Sequence, residues 1–114
     1  MLWYQRSMAL NPWDSRSYSG LGWCLDWLDR QSESAPYFSR AEELDPNNYF
    51  NLNNIGVHYI QIGDFAAAKP WFERSLRLGD MDNLIARNYL QIANIRLLEA
   101  ATNEITAKLY SLPR

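Results

Sequence analysis

The strongest constraint on this chain is that it matches itself at an offset of 34 residues. Three segments align: WYQRSMALNP from Trp3, YFSRAEELDP from Tyr37 and WFERSLRLGD from Trp71. Each opens with two aromatics (Trp3-Tyr4, Tyr37-Phe38, Trp71-Phe72). Each continues with an arginine (Arg6, Arg40, Arg74), a small residue (Ser7, Ala41, Ser75) and a leucine (Leu10, Leu44, Leu78). A second element recurs at the same offset, Tyr18-x-x-Leu21-Gly22-x-x-Leu25 and Leu52-x-x-Ile55-Gly56-x-x-Tyr59, and Pro36 and Pro70 share the spacing. A unit of this length that repeats along a chain stacks on its neighbours to build one continuous core.

The repeated positions have helical spacing. Tyr18, Leu21, Gly22 and Leu25 fall at i, i+3, i+4 and i+7, as do Leu52, Ile55, Gly56 and Tyr59, so each set makes one stripe of a helix. A glycine inside a helix costs about 1 kcal/mol relative to alanine. Gly22 and Gly56 are therefore expected where a neighbouring helix approaches closely. Phe38 and Ala41, and Phe72 and Ser75, form the inward stripe of the second helix in each unit. Asp45-Pro46-Asn47-Asn48 ends one helix and starts the next, with Asn48 as cap, and Gly63-Asp64 turns the chain inside the later unit, with Asp64 as cap. Pro36 and Pro70 fall early in the second helices, where they can lose an intrahelical bond or bend the helix.

This pattern resembles the tetratricopeptide repeat family, whose units are helix–turn–helix pairs of 34 residues. The later unit matches at Leu52, Ile55-Gly56, Tyr59, Gly63, Ala68, Phe72 and Ser75. The earlier one matches at Tyr18, Leu21-Gly22, Leu25, Ser34, Phe38, Ala41 and Pro46. Ser34 and Asp80 depart from the usual Ala and Pro. The resemblance covers roughly residues 1–82 and implies an all-α, helix-turn-helix solenoid. In that frame residues 1–14 are the second helix of a partial repeat, 15–48 and 49–82 are complete repeats, and 83–114 form a C-terminal helical cap. Helices are expected near 1–10, 15–28, 34–44, 49–62, 65–78 and 83–100. Asp82 is expected to cap the last, Thr102-Asn103 to weaken it and Pro113 to stop it.

Chemistry is sparse. Net charge is −2 with both signs dispersed, and no Lys/Arg run forms a footprint for nucleic acid or anionic lipid; Arg74 to Arg77 read as a solvated face. The single cysteine, Cys24, excludes an internal disulfide and a cysteine-rich metal site, and the single histidine, His58, reads as a packed or surface residue rather than a catalytic base. No stretch of some 18 apolar residues is present to insert in a membrane. No nucleophile–base pair, cofactor motif or metal set is readable, so the chain is expected not to be an enzyme. A reducing, cytoplasmic setting fits, as does a soluble piece of a larger or membrane-anchored protein.

The resemblance implies a concave face lined by the first helix of each unit, where extended peptides bind. The expected partner-binding groove comprises Trp23, Trp27, Phe50, Asn53, Asn54, Val57, Arg87 and Asn88, with Ser19, Asp26, Gln61 and Gln91 beside them. Trp23 and Trp27, four apart on one helix face, read also as core, or as residues that further repeats would bury. The carboxylate-clamp type of this family would use the positions held here by Ser19, Trp23, Asn54, Leu84 and Asn88; only the asparagines fit. The expected function is a protein–protein interaction scaffold for a peptide or partner domain. The alternatives are a self-association module and a structural or regulatory repeat tail of a larger protein. For the tail, DPNNYF followed by GDFAAAKPWFERSL is similar to repeat tails of bacterial O-antigen ligase-like membrane glycosyltransferases. A homodimer is expected through residues 1–14, where Leu2, Trp3, Tyr4, Met8 and Leu10 lack the first helix of their unit.

Overall fold

The computed structural model describes residues 1–78 and 83–113. Six helices follow one another: α1 Leu2–Leu10, α2 Ser15–Trp27, α3 Gln31–Leu44, α4 Tyr49–Gln61, α5 Phe65–Arg77 and α6 Leu84–Tyr110. There is no strand among the described residues, and the architecture is an all-α helical-repeat solenoid. The helix starts follow from short polar caps. The side chains of Asp14, Asn48, Asp64 and Asn83 accept hydrogen bonds from the N–H groups of Arg16, Asn51, Ala67 and Ala86. The cap of α6 is thus Asn83; Asp82, expected in that role, lies outside the described residues.

Two turns fold the chain into helix pairs, α2 on α3 and α4 on α5. They use one geometry. Asp29 has φ +57° and Gly63 φ +81°. The next residue's N–H closes each turn, Arg30 onto Leu25 O and Asp64 onto Tyr59 O, both at 2.9 Å. This is the left-handed helix ending that glycine adopts without strain and aspartate adopts at a cost. Asp29 therefore occupies, 34 residues earlier, the position that Gly63 fills more comfortably.

The pairs are locked by aromatic rings seated on glycines. Phe72 is fully buried against Gly56, and Phe38, nearly so, against Gly22. Gly20 does the same for Tyr4, bringing α1 onto α2. Val57, Ala68, Phe72 and Ala86 form a core that α4, α5 and α6 share, with Tyr59, Ile60, Leu76, Tyr89 and Leu90 packed around it. Tyr89 stacks on Phe72 with ring centres 5.6 Å apart.

Two sequence expectations need correction. Helix α3 begins at Gln31 rather than near 34, its first turn held by Arg30 and Glu33 at 2.5 and 2.7 Å. The exposed Glu33 carboxyl is lowered below its ordinary range, chiefly by the hydrogen bond from Arg30. Pro36 and Pro70 interrupt neither helix. They sit at the solvent face of α3 and α5, as do Ser32 and Ala66 four residues before them, so the carbonyls left without an N–H partner face water. Helix α6 runs ten residues past its expected end near 100. Thr102 and Thr106 donate their hydroxyls to Leu98 O and Thr102 O, both at 2.9 Å, so these side chains are satisfied within the helix instead of breaking it. The helix ends at Tyr110, just before Pro113.

Candidate protein-interaction surface

Helices α2 and α4 lie side by side, and buried polar contacts set their alignment. Asn51, fully buried on α4, donates to Ser15 Oγ at 2.8 Å and accepts from Ser19 Oγ at 2.6 Å, both on α2. One step along, Asn53 donates to Asn83 Oδ1 at 2.9 Å, and Asn83 donates to Ser75 Oγ at 2.7 Å, tying α4 to the start of α6 and to α5. A third cluster joins α2, α3 and α4. Asp26 accepts from Ser34 Oγ at 2.5 Å and faces His58 Nδ1 at 3.0 Å, and all three residues are buried. Buried polar groups that meet their partners only in one relative placement of the helices specify that placement, although Asn53 Oδ1 itself has no partner among the described residues.

These clusters place the expected groove residues in two groups. Asn53 and Val57 are only 5% exposed: Asn53 is spent on Asn83, and Val57 belongs to the core shared by α4, α5 and α6. They are not surface residues, because α4 touches α2, α3, α5 and α6 and is covered on most sides. Ser19 and Asp26 are likewise buried in the clusters just described. Trp23 and Trp27 reach the surface at 39% and 60% exposure and meet edge to face with ring centres 5.8 Å apart. The reading of both as core is therefore set aside. Phe50 and Asn54 are half-buried, and Arg87 and Asn88 are exposed on α6.

Trp23, Phe50 and Asn54 converge with Tyr4, Gly20 and Ile85 on an open, largely apolar cavity of about 240 Å³. It draws on α1, α2, α4 and α6. A second depression of about 260 Å³ lies beside Trp27, lined also by Asp26, Asp29, Gln31 and Gln61. Arg87 and Asn88 line neither cavity. Tyr4 and Ile85 were missed by sequence reasoning, since each comes from outside the complete repeats. Gly20 carried a usable signal, since a glycine inside a helix is tolerated where something approaches closely, and a Cβ there would run into the Tyr4 ring.

The arrangement offers shape and aromatic surface, with polar groups at the edges. Among the described residues no group of three or more His, Cys, Asp or Glu side chains is placed to hold a metal ion, and no helix is long and apolar enough to cross a membrane. Arg74, expected to be simply solvated, links successive layers instead. It donates to Glu42 at 3.2 Å and to Pro46 O at 2.8 Å, with its guanidinium over the Trp71 ring.

Residues 51–81 match the tetratricopeptide repeat family. They include most of α4 and all of α5. The chain carries a tetratricopeptide repeat. It is similar to two curated proteins whose names place them in regulation and in a multisubunit complex. One is regulator of microtubule dynamics protein 1 from Rattus norvegicus, 29% identical over 93 residues, covering 63% of this chain and 30% of that protein. The other is anaphase-promoting complex subunit 3 from Schizosaccharomyces pombe, 25% identical over 81 residues, covering 71% of this chain and 12% of that protein. The chain thus spans less than a third of the length of either relative. In tetratricopeptide repeat terms, Gly56 and Phe72 are the contact between the first and second helices of the matched unit.

Proposed function

We propose that the chain is a non-catalytic interaction scaffold that receives a segment of a partner protein in the cavity between α1, α2, α4 and α6. The observation that carries this reading is the exposure of Trp23 at an apolar cavity built from four separate helices, with Trp27 against it ring to ring and lining the neighbouring depression. Large rigid aromatics in such a setting anchor interfaces, because they bury much area while losing little side-chain freedom. Trp23, Trp27, Phe50 and Asn54 are the proposed contact residues, with Arg87 and Asn88 at the margin. The partition into a partial repeat (1–14), two repeats (15–48 and 49–82) and a cap (83–114) belongs to the same proposal, as does a cytoplasmic setting. The limited span of the relatives that the chain matches supports its working as one part of a larger assembly or a longer protein.

A photo-reactive phenylalanine analogue placed at Trp27 in cells, with the same analogue at the exposed Glu73 as a reference, tests the reading. The expected result is a protein adduct at position 27 that is absent at 73 and is lost when Trp23 is also replaced by alanine. Equal adducts at both positions, or an adduct indifferent to Trp23→Ala, would overturn it.

A second reading, self-association through α1, has its own support. No residue of α1 is buried, and Leu2, Trp3 and Leu10 are 60%, 75% and 88% exposed. Sedimentation of wild type against Trp3→Ser tests it: this reading requires the dimer to be lost with Trp3, and a dimer that survives the substitution overturns it.

A further inference from the structure

Helix α6 presents two apolar stripes that face different ways. The first is Ala86, Tyr89, Leu90, Ala93 and Leu97, and it is the one that meets the solenoid. It ends there: the positions that continue it read Ala100, Ala101, Glu104 and Lys108. The second stripe is Ile95, Leu98, Thr102, Ile105 and Leu109, with strictly alternating steps of three and four residues, and Leu112 continues the spacing two residues past the end of the helix. At about 100° per residue this stripe lies roughly 130° around the helix from the first. Its apolar members are 48–69% exposed, and every residue from 98 to 113 is exposed. The charges of this segment, Arg96 with Glu99 and Glu104 with Lys108, pair along the helix itself and fall off the stripe. About 20 Å of helix therefore projects beyond the body with no tertiary support, a length that is marginal on its own in water.

The geometry points to a second copy of this chain as what covers the stripe, in an antiparallel pair centred between Asn103 and Glu104. The alternation of three and four is the repeat that lets two helices keep one seam in contact. In the antiparallel register Leu98 meets Leu109 of the other copy and Thr102 meets Ile105, while Ile95 faces Leu112 just past the helix end. Every layer thus contains at least one large aliphatic side chain. Flanking positions bring Glu99 beside Thr106 and Lys108 beside Ala101, so no like charges oppose each other. The antiparallel sense also sends the two solenoid bodies to opposite ends of the pair, whereas a parallel pair would crowd them at one end. The five exposed aliphatics cover roughly 300–400 Å² per copy. With the alanine, threonine and Lys108 stem beside them, the total approaches the ~1,000 Å² at which specific interfaces begin. Such a pair is reversible rather than permanent.

The test is sedimentation equilibrium of the whole chain from about 5 to about 500 µM, across the range expected for an interface at that lower size limit. Wild type is compared with Ile105→Glu/Leu109→Glu, with Trp3→Ser and with a Leu98→Cys/Leu109→Cys chain in which Cys24 is serine. The glutamates lie on a segment that touches nothing in the body, so near-ultraviolet circular dichroism of the tryptophans should not change. The expected result is a wild-type dimer whose dissociation constant rises at least tenfold in the double glutamate variant and is unaffected by Trp3→Ser. The cysteine variant should form disulfide-linked dimers under mild oxidation. A chain that stays monomeric throughout overturns the inference. So does a dimer that survives the glutamates but is lost with Trp3→Ser, or one in which the paired cysteines do not cross-link.

Discussion

Replacing Gly56 by alanine isolates the contact that holds the matched repeat together. A Cβ built on Gly56 would lie 2.5 Å from Phe72 Cζ and 2.7 Å from both Cε atoms. Phe72 has no exposed surface and is stacked on Tyr89, so its ring has nowhere to move. Overpacking of this kind costs about 1–3 kcal/mol. Alanine recovers about 1 kcal/mol through its better helix propensity. The net expectation is a loss of up to about 2 kcal/mol, or several degrees in melting temperature for a domain near this size. The decisive comparison is the same substitution in a Phe72→Leu background. Leucine lacks the three ring atoms that block the methyl group, so there Gly56→Ala should stabilise by about 0.5–1 kcal/mol. The change of sign corresponds to a coupling of roughly 2 kcal/mol, within the range for residues in direct contact. Urea unfolding of the four proteins, followed by far-ultraviolet circular dichroism, measures it. If alanine destabilises equally with Phe or Leu at position 72, the ring is not the obstacle and the argument fails.

Asp29→Gly should stabilise the fold by about 0.5–1 kcal/mol, because Asp29 holds φ +57° at the position where the later turn uses glycine; an unchanged urea midpoint would count against it. Gly63→Ala should cost about 1 kcal/mol for backbone conformation alone, since nothing lies within 4 Å of its Cβ position. Asp26→Ala should cost about 1–3 kcal/mol by leaving buried His58 without its carboxylate partner, while Ser34 keeps Gln31 O as an acceptor, with Asp26→Asn milder; a loss under about 0.5 kcal/mol would mean that the cluster contributes little. Asn51→Ala should cost about 2 kcal/mol and speed amide exchange in both α2 and α4, as it removes the bonds to Ser15 and Ser19. Exchange that rises in α4 alone would show that Asn51 does not join the two helices.

Much of this molecule follows from local pattern. The 34-residue offset and the i, i+3, i+4, i+7 stripes determine helices and their pairing, because a helix needs only its own sequence to define which face is apolar. They also mark Gly22 and Gly56 as sites of close approach, since glycine inside a helix is tolerated only for a reason of that kind, and the rings on them are Phe38 and Phe72. Asn48 and Asp64 were legible as caps for the same local reason. Tertiary structure decided which face is covered and by what. Asn53 and Asn54 are neighbours on α4, yet one is sealed against Asn83 and the other borders a cavity. Asp26, Ser34 and His58 become one cluster only when three helices meet. The two tryptophans of α2 stay at the surface because the helices beside it bury its other faces. Helix α6 runs beyond the body because threonines that look like breaks find acceptors one turn back. Periodicity along a chain records that a side chain prefers to leave water, while its neighbour in space is set by the placement of whole helices, to which each residue contributes only a part.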